Sequence, residues 1–481
     1  MMTLSLPKRL TITTTTTTTT TSTNLTTTLL LGTGASLVTA VTVLLATRWW
    51  WTNRNDQNED EVASSSSSLS AHEQLIAAGT PLIKLRRVSQ LVQRSIYVKM
   101  ESLNPGGTGK DRAAWNMIRT AEQQGRLPLP QTGTVIVDNH DMLLYPSLKQ
   151  RRQQPKQQRY NASSDEDGST TMETKLDAMI IQAMERSRTG GIVVEGTSGS
   201  TGIALATLCA CRGHACLVIL PDDQAVEKQT ILRSLGAVVM QVPTASISNP
   251  YHYVNLARKA SNLARDKYNV PAVFMDQFEN EANFDMHYRT TGPELWRQLA
   301  GEIDAFVMSS GTGGTIAGVA TFLKQVQPNI RIVLVDPPGS SLYHKVEHGV
   351  AYAPQQQERT LRKHRYDTIA EGIGLDRITH NFQLGLDGID AAIRVSDQEA
   401  VDMAHWILTT EGLWIGSSSA MNLVGAIRTA LDMPVGSQVI TMICDGGQRH
   451  ATRFWDPTFI EKWGLQWPQQ GCIPECIQSI V

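Results

Sequence analysis

From residue 191 onward, short continuous apolar runs alternate with longer segments of helical periodicity. Residues 192–195, 215–220, 238–242, 305–308 and 330–335 are apolar and rich in β-branched side chains, the pattern of buried strands. Between them, 203–211, 225–235 and 316–326 carry the helical period. Upstream, 72–78 reads as a short helix, 79–85 as a turn and strand, 94–100 as a strand and 113–124 as a helix, and 175–188 as an amphipathic helix. Short buried strands alternating with helices predict an α/β fold with open, mostly parallel sheets covered by helices on both faces.

The ends of the chain are a different material. The first 55 residues hold four basic residues (Lys8, Arg9, Arg48, Arg54) and no acid. Threonine dominates 11–28, so 1–28 is expected as a low-complexity leader that builds no core. Residues 29–47 are apolar and uncharged, near the ~20 residues a membrane helix needs. Three tryptophans and two arginines follow, which suits an interface, so 29–51 is expected as a transmembrane anchor. A basic, hydroxyl-rich leader suits a mitochondrion, with the outer membrane favoured. Residues 52–70 read as a flexible linker, 71–465 as a catalytic core of two subdomains, and 466–481 as a tail. Within the core, 128–174 holds Gln-rich and acidic runs, so it is expected as a partly disordered insertion carrying one strand over 133–138.

Composition narrows the class. The chain is 41% hydrophobic with a net charge of −2, a balance without the basic excess that draws a protein to nucleic acid. Six cysteines lack the spacing of a metal or disulfide framework, so reduced thiols are expected.

The chemistry concentrates in three glycine-rich turns, each placed between a strand and a helix, where open α/β sheets bind ligands. The first is Asn104-Pro-Gly-Gly-Thr-Gly-Lys-Asp-Arg112. It puts Lys110 at a helix N-terminus, where the dipole disfavours a cation and favours the neutral amine of carbonyl chemistry. A nucleotide-binding loop would need Gly at 104 and Ser or Thr after the lysine, and neither is present. The bland alternative is an exposed lysine on a small-residue turn. The second turn, Glu195-Gly-Thr-Ser-Gly-Ser-Thr-Gly202, offers hydroxyls and N–H groups to a carboxylate, or merely caps a helix through Ser198 or Ser200. The third, Ser310-Gly-Thr-Gly-Gly-Thr315, suits a phosphate cup or a close-packed turn. Ile316 breaks the dinucleotide pattern.

Together with Gln277-Phe-Glu-Asn280, His287-Tyr-Arg-Thr-Thr-Gly-Pro-Glu294 and Glu371-Gly-Ile-Gly374, these turns resemble the motifs of the cysteine synthase and cystathionine β-synthase family, fold-type II pyridoxal-phosphate (PLP) enzymes. Its fungal mitochondrial branch, cysteine synthase 2, is the most similar. The resemblance covers residues 71 to about 463. It implies that Lys110 binds the cofactor as a Schiff base and moves the α-proton. It implies that Gly311, Thr312, Gly313, Gly314 and Thr315 hold the phosphate, that Thr197, Ser198, Thr201 and Gln277 hold the amino-acid carboxylate, and that Gly372 faces the amino group. Ser200 stands where the family usually has Asn on the cofactor hydroxyl. Asp445 is read at the position of the serine that meets the pyridine nitrogen, where a carboxylate would favour a protonated ring. Cys444 reads as a packed strand end. The implied reaction replaces the acetate of O-acetylserine by sulfide to give cysteine, in a homodimer, with a small subdomain near 214–276 closing over the site. The rival on the same scaffold is β-elimination, as a desulfhydrase or dehydratase, and the rival of another class is a membrane-tethered protein without catalysis.

Overall fold

The computed structural model describes residues 69–130, 172–352, 368–469 and 471–478. The expected leader, the anchor over 29–51, nearly all of the linker and most of the insertion, with its strand over 133–138, lie outside the described residues. Among the described residues no helix is long and apolar enough to cross a membrane. The described residues begin at the end of the expected linker. Ser70 caps the Ala71–Ala78 helix, and Glu73 bonds back to Ser70 to close a capping box.

The described strands are β1 (Leu82–Lys84), β2 (Ser95–Met100), β3 (Ile192–Gly196), β4 (Ala215–Pro221), β5 (Val238–Val242), β6 (Ala272–Phe274), β7 (Ala305–Ser309), β8 (Arg331–Asp336), β9 (Ala391–Arg394) and β10 (Gln438–Ile443). They form two sheets, a six-stranded one in the order β1-β2-β10-β7-β8-β9 and a four-stranded one in the order β5-β4-β3-β6. The β1–β2 pair is antiparallel and every other pairing is parallel. The four-stranded unit begins at Ile192, earlier than the expected subdomain at 214.

Burial explains both the parallel sheets and the continuous apolar runs. Every residue of β3, β4 and β7 is buried, because helices cover both faces. Alternate side chains enter different cores. In β7, Ala305 and Val307 join one apolar cluster while Phe306 and Met308 join the other. In the small sheet, Val193 and Val218 face one core, and Ile192, Val194, Leu217 and Ile219 the other.

The sequence reading missed β6 and β9, and of β10 it held only the end, at Cys444. The last of these is central, pairing with β2 on one side and β7 on the other. Its apolar run holds one hydroxyl, that of Thr441. The fold satisfies that hydroxyl internally, since Thr441 Oγ1 donates to the Val307 carbonyl at 2.7 Å.

A buried charge cluster fixes the start of the Lys110–Gln123 helix. The Arg112 guanidinium makes forked bonds to two carboxylates. Nε and Nη2 donate to Glu101 Oε2 and Oε1 at 2.9 and 3.0 Å, and Nη1 and Nη2 to Glu294 Oε1 and Oε2 at 2.6 and 2.8 Å. Lys99 Nζ lies 2.8 Å from Glu294 Oε2 and donates to the Thr80 carbonyl. The cluster ties β2, the lysine helix and the Gly292–Gln298 helix together. Burial works against both carboxylates, but the neighbouring cations hold each below the usual range, so the set is ionised.

Candidate active site

Three helices open onto one cavity of about 320 Å³, and each follows a glycine with no side-chain cap: Lys110–Gln123 after Gly109, Ser200–Arg212 after Gly199, and Gly314–Val326 after Gly313. At the second and third helices the N-cap glycine leaves the first N–H groups without a side-chain partner of its own, whereas at the first the Lys110 N–H donates to Thr108 Oγ1 at 3.1 Å. Lys110, Ser198, Ser200, Thr201, Gln277, Gly311, Thr312, Thr315, Gly372 and Asp445 all line the cavity. Thr197, Gly313 and Gly314 are not in the wall. Thr197 stands behind it, where its Oγ1 accepts from the Gly199 N–H at 3.1 Å and shapes the turn.

The third turn fits a phosphate on its own geometry. A side chain at Gly311 would overlap the Gly372 carbonyl oxygen, and one at Gly314 would overlap Asn283. Gly313 has φ 89°, and a Cβ there would meet Phe382. The backbone can thus close around an anion only without side chains. Thr312 Oγ1 accepts from Asn283 Nδ2 at 2.9 Å, which leaves its own proton to point into the cup. Thr315 Oγ1 lies 3.1 Å from His287 Nε2, and His287 Nδ1 lies 2.9 Å from Thr291 Oγ1. Burial, then Arg112 and Lys110, hold His287 well below its ordinary pKa, so the ring is neutral. With its proton on Nε2, it donates to Thr315 and leaves that hydroxyl proton for the anion too. His287 begins a π-helical turn, His287–Thr291, which sets it against Thr315. The sequence reading quoted this segment but gave Asn283 and His287 no role, because buried supporting groups leave no local pattern.

A Gly313→Ala substitution puts a Cβ at positive φ against Phe382 and costs about 1–3 kcal/mol of local strain. It is expected to weaken PLP binding about tenfold or more, as measured by cofactor titration of the apoprotein.

Gln277 links the turns on the carboxylate side. Its Oε1 accepts from Thr201 Oγ1 at 2.5 Å, and its Nε2 donates to Glu195 Oε1 at 3.3 Å and to the Gly196 carbonyl at 3.2 Å. Burial, then Asp276, push Glu195 well above its usual pKa, so it is a neutral acid.

Asp445 is buried rather than turned outward. Its Oδ2 bonds His450 Nε2 at 2.8 Å, and its Oδ1 lies where a Cβ on Gly416 would stand. Burial opposes its charge, but His450, Lys228 and Arg449 hold it below the usual carboxylate range. One oxygen is therefore committed to the imidazole before any ring approaches. His450 Nδ1 in turn lies 3.6 Å from Glu371 Oε2. Cys444 lines the cavity, and burial raises its thiol to about 11, so it is no thiolate at neutral pH.

Asp111, next to Lys110, is fully buried. Its Oδ2 accepts from the Thr108 N–H at 3.3 Å, and its Oδ1 packs against Gly106, with His72 Nε2 at 3.8 Å. Burial raises the carboxyl to about 7. The unfolded group titrates near ~3.9. The folded state therefore holds a proton that the unfolded state has lost, so the stability from this group is full below about pH 4 and is lost as pH rises towards 7. Asp111→Asn is expected to flatten the pH dependence of the melting temperature between about pH 4 and 7, and a slope equal to that of the parent protein would contradict the buried acid.

The model of the family described as pyridoxal-phosphate dependent enzymes matches residues 74–139 and 174–445. The chain is 42% identical over 385 residues to a Saccharomyces cerevisiae protein named, provisionally, as a mitochondrial cysteine synthase, covering 80% of this chain and 83% of that one. It is 40% identical over 390 residues to cysteine synthase 2 of Schizosaccharomyces pombe, covering 80% and 84%. The crystal structure of O-ureido-L-serine synthase superposes with a TM-score of 0.57 at 25% identity, covering 81% of this chain and 94% of that one. Two largely parallel sheets with a lysine helix, a hydroxyl turn and a glycine cup around one cavity are the fold-type II arrangement, and the chain belongs to the family of pyridoxal-phosphate-dependent enzymes.

Proposed function

We propose that this chain is a cysteine synthase that replaces the acetate of O-acetyl-L-serine by sulfide, giving L-cysteine and acetate. The observation that carries the reading is the convergence of three helix starts, each following a glycine, on the cavity that Lys110 lines. The relatives named cysteine synthase support the choice of substrates.

Bound pyridoxal phosphate supplies an electron sink for the α-carbon of an amino acid. Gly311, Thr312, Gly313, Gly314 and Thr315 hold its phosphate through backbone N–H groups and two hydroxyl protons. Ser198 and Thr201, whose turn Gln277 braces, receive the substrate carboxylate, Ser200 stands towards the cofactor hydroxyl, and Thr197 keeps the turn in shape. The Gly372 carbonyl accepts from the amino group. Lys110 Nζ holds the cofactor between turnovers, takes the α-proton and later returns it. Asp445 acts on the ring's surroundings through Oδ1, the oxygen that His450 leaves over. A carboxylate there is what keeps β-elimination as the second reading.

The mitochondrial name of the Saccharomyces cerevisiae relative and the acid-free basic leader support a mitochondrial location. The uncharged run over 29–47 supports an N-terminal anchor, which resistance of the full-length protein to carbonate extraction tests. The family supports a homodimer. The family model's gap between 139 and 174 supports the reading of an insertion.

The experiment loads the full-length protein with PLP and supplies O-acetylserine and sulfide. Cysteine and acetate in equal amounts are expected. Pyruvate and ammonia formed regardless of sulfide would replace the synthase with an eliminase, and no turnover of either kind would leave the tethered non-enzyme.

A further inference from the structure

One buried lysine outside the catalytic set touches both loops assigned to the substrate. Lys228 sits on the Val226–Ser234 helix beside the four-stranded sheet, and its side chain is buried. Its stem runs along Gly199, where an added Cβ would stand 2.6 Å from Lys228 Cδ. Its ammonium is ion-paired with Glu371 Oε2, in the residue before Gly372. Glu371 Oε1 also faces Arg453 Nε at 3.2 Å, and burial of this carboxylate is outweighed by Lys228, His450 and Arg453, so it stays ionised. We propose that Lys228 is a positioning residue that couples the carboxylate turn at Gly199 to the amino-side turn at Gly372, so that both ends of the amino acid are gripped together.

The argument rests on the reading that these turns hold an amino acid, but the geometry of the clasp does not. Its glycine end needs an aliphatic stem and its glutamate end needs a charge. Methionine supplies the first without the second. The helix does not depend on the lysine for docking. Glu227 accepts from the Thr452 N–H and Oγ1, both at 2.8 Å, and Arg453 donates to the Asp223 carbonyl. Glu371 keeps Arg453 and His450 when Lys228 is lost, so a folded variant is expected.

The test compares Lys228→Met, Lys228→Arg, Glu371→Gln and the double variant Lys228→Met/Glu371→Gln as PLP-loaded proteins. Lys228→Met is expected to raise KM for O-acetylserine about tenfold with kcat within threefold, and Lys228→Arg to recover most of that loss. The double variant is expected to be no worse than the poorer single one, because both remove one link. In the cofactor-free proteins, amide exchange in 196–202 and 369–375 is expected to quicken together in Lys228→Met. An unchanged KM, a loss confined to kcat, single penalties that multiply, or exchange that quickens in only one loop would overturn the proposal. If the parent protein makes no cysteine, the proposed function fails, and paired exchange in the two loops still decides the clasp.

Discussion

Replacing Lys110 with alanine is expected to lower kcat by about 10⁴, the upper end of what one positioned acid–base group contributes. The amine stands at the first residue of a helix that follows Gly109, in the wall of the cavity that holds the carboxylate turn and the phosphate cup. The titratable groups described around it are not free to take over its proton. Cys444 keeps its proton at neutral pH, Asp445 is bonded to His450, and His287 is spent on the two threonines. Cofactor is still expected to bind, because the glycine cup and its threonine hydroxyls do not depend on Lys110. The variant should therefore retain PLP on gel filtration, lose the visible band of the lysine-bound cofactor, and turn over at the background rate. Lys110→Arg should fare no better, since a guanidinium stays charged and cannot take the α-proton. Activity within tenfold of the parent would remove Lys110 from the mechanism.

Arg112→Ala is expected to have the largest effect on stability, a loss of about 3–5 kcal/mol. Two carboxylates share its guanidinium out of contact with water. Without it, Lys99 remains for Glu294, but Glu101 keeps only the Thr80 hydroxyl and Asn104 as close partners. Arg112→Lys keeps the charge but loses one of the two forks, so an intermediate loss is expected. Replacing Lys99, Glu101, Arg112 and Glu294 together by apolar residues of similar volume should cost less than Arg112→Ala alone. That contrast isolates the stranded charge from the packing. The urea midpoint of the far-ultraviolet circular dichroism measures all four proteins, and an Arg112→Ala loss under about 1 kcal/mol would mean that water reaches the cluster.

Much of this fold was legible because its strands are buried on both faces. Continuous apolar runs at β3, β4, β5, β7 and β8 could be read directly. β10 was legible only at its end, Cys444, because Thr441 satisfies its hydroxyl against a strand distant in sequence, a contact that no local window contains. The glycine turns were legible for a related reason. Close approach of backbone to ligand or to Gly372 demands glycine at fixed points, and that demand is written locally. The supporting groups were not. Asn283, His287, Lys228 and His450 gain their roles from distant partners, and in isolation each looks like an ordinary polar residue on a helix or turn. Asp445 shows both cases. Its place in the cavity wall was readable, but its bond to His450 changes what its carboxylate has left to offer.

The order of the strands in the six-stranded sheet also bears on how the protein is made. A chain emerging from the ribosome delivers β2 early, then the whole four-stranded sheet from Ile192 to Phe274, and supplies β10 only at residue 438. That last strand is the one that joins β2 to β7. The small sheet, contiguous in sequence, can form during synthesis, as compact N-terminal units do. The large sheet must wait, with β2 and β7 each showing an open edge, until nearly the entire chain is out. A chain cut short before residue 438 loses the middle of its larger sheet, so quality control meets an unpaired sheet centre and never a slightly shortened enzyme.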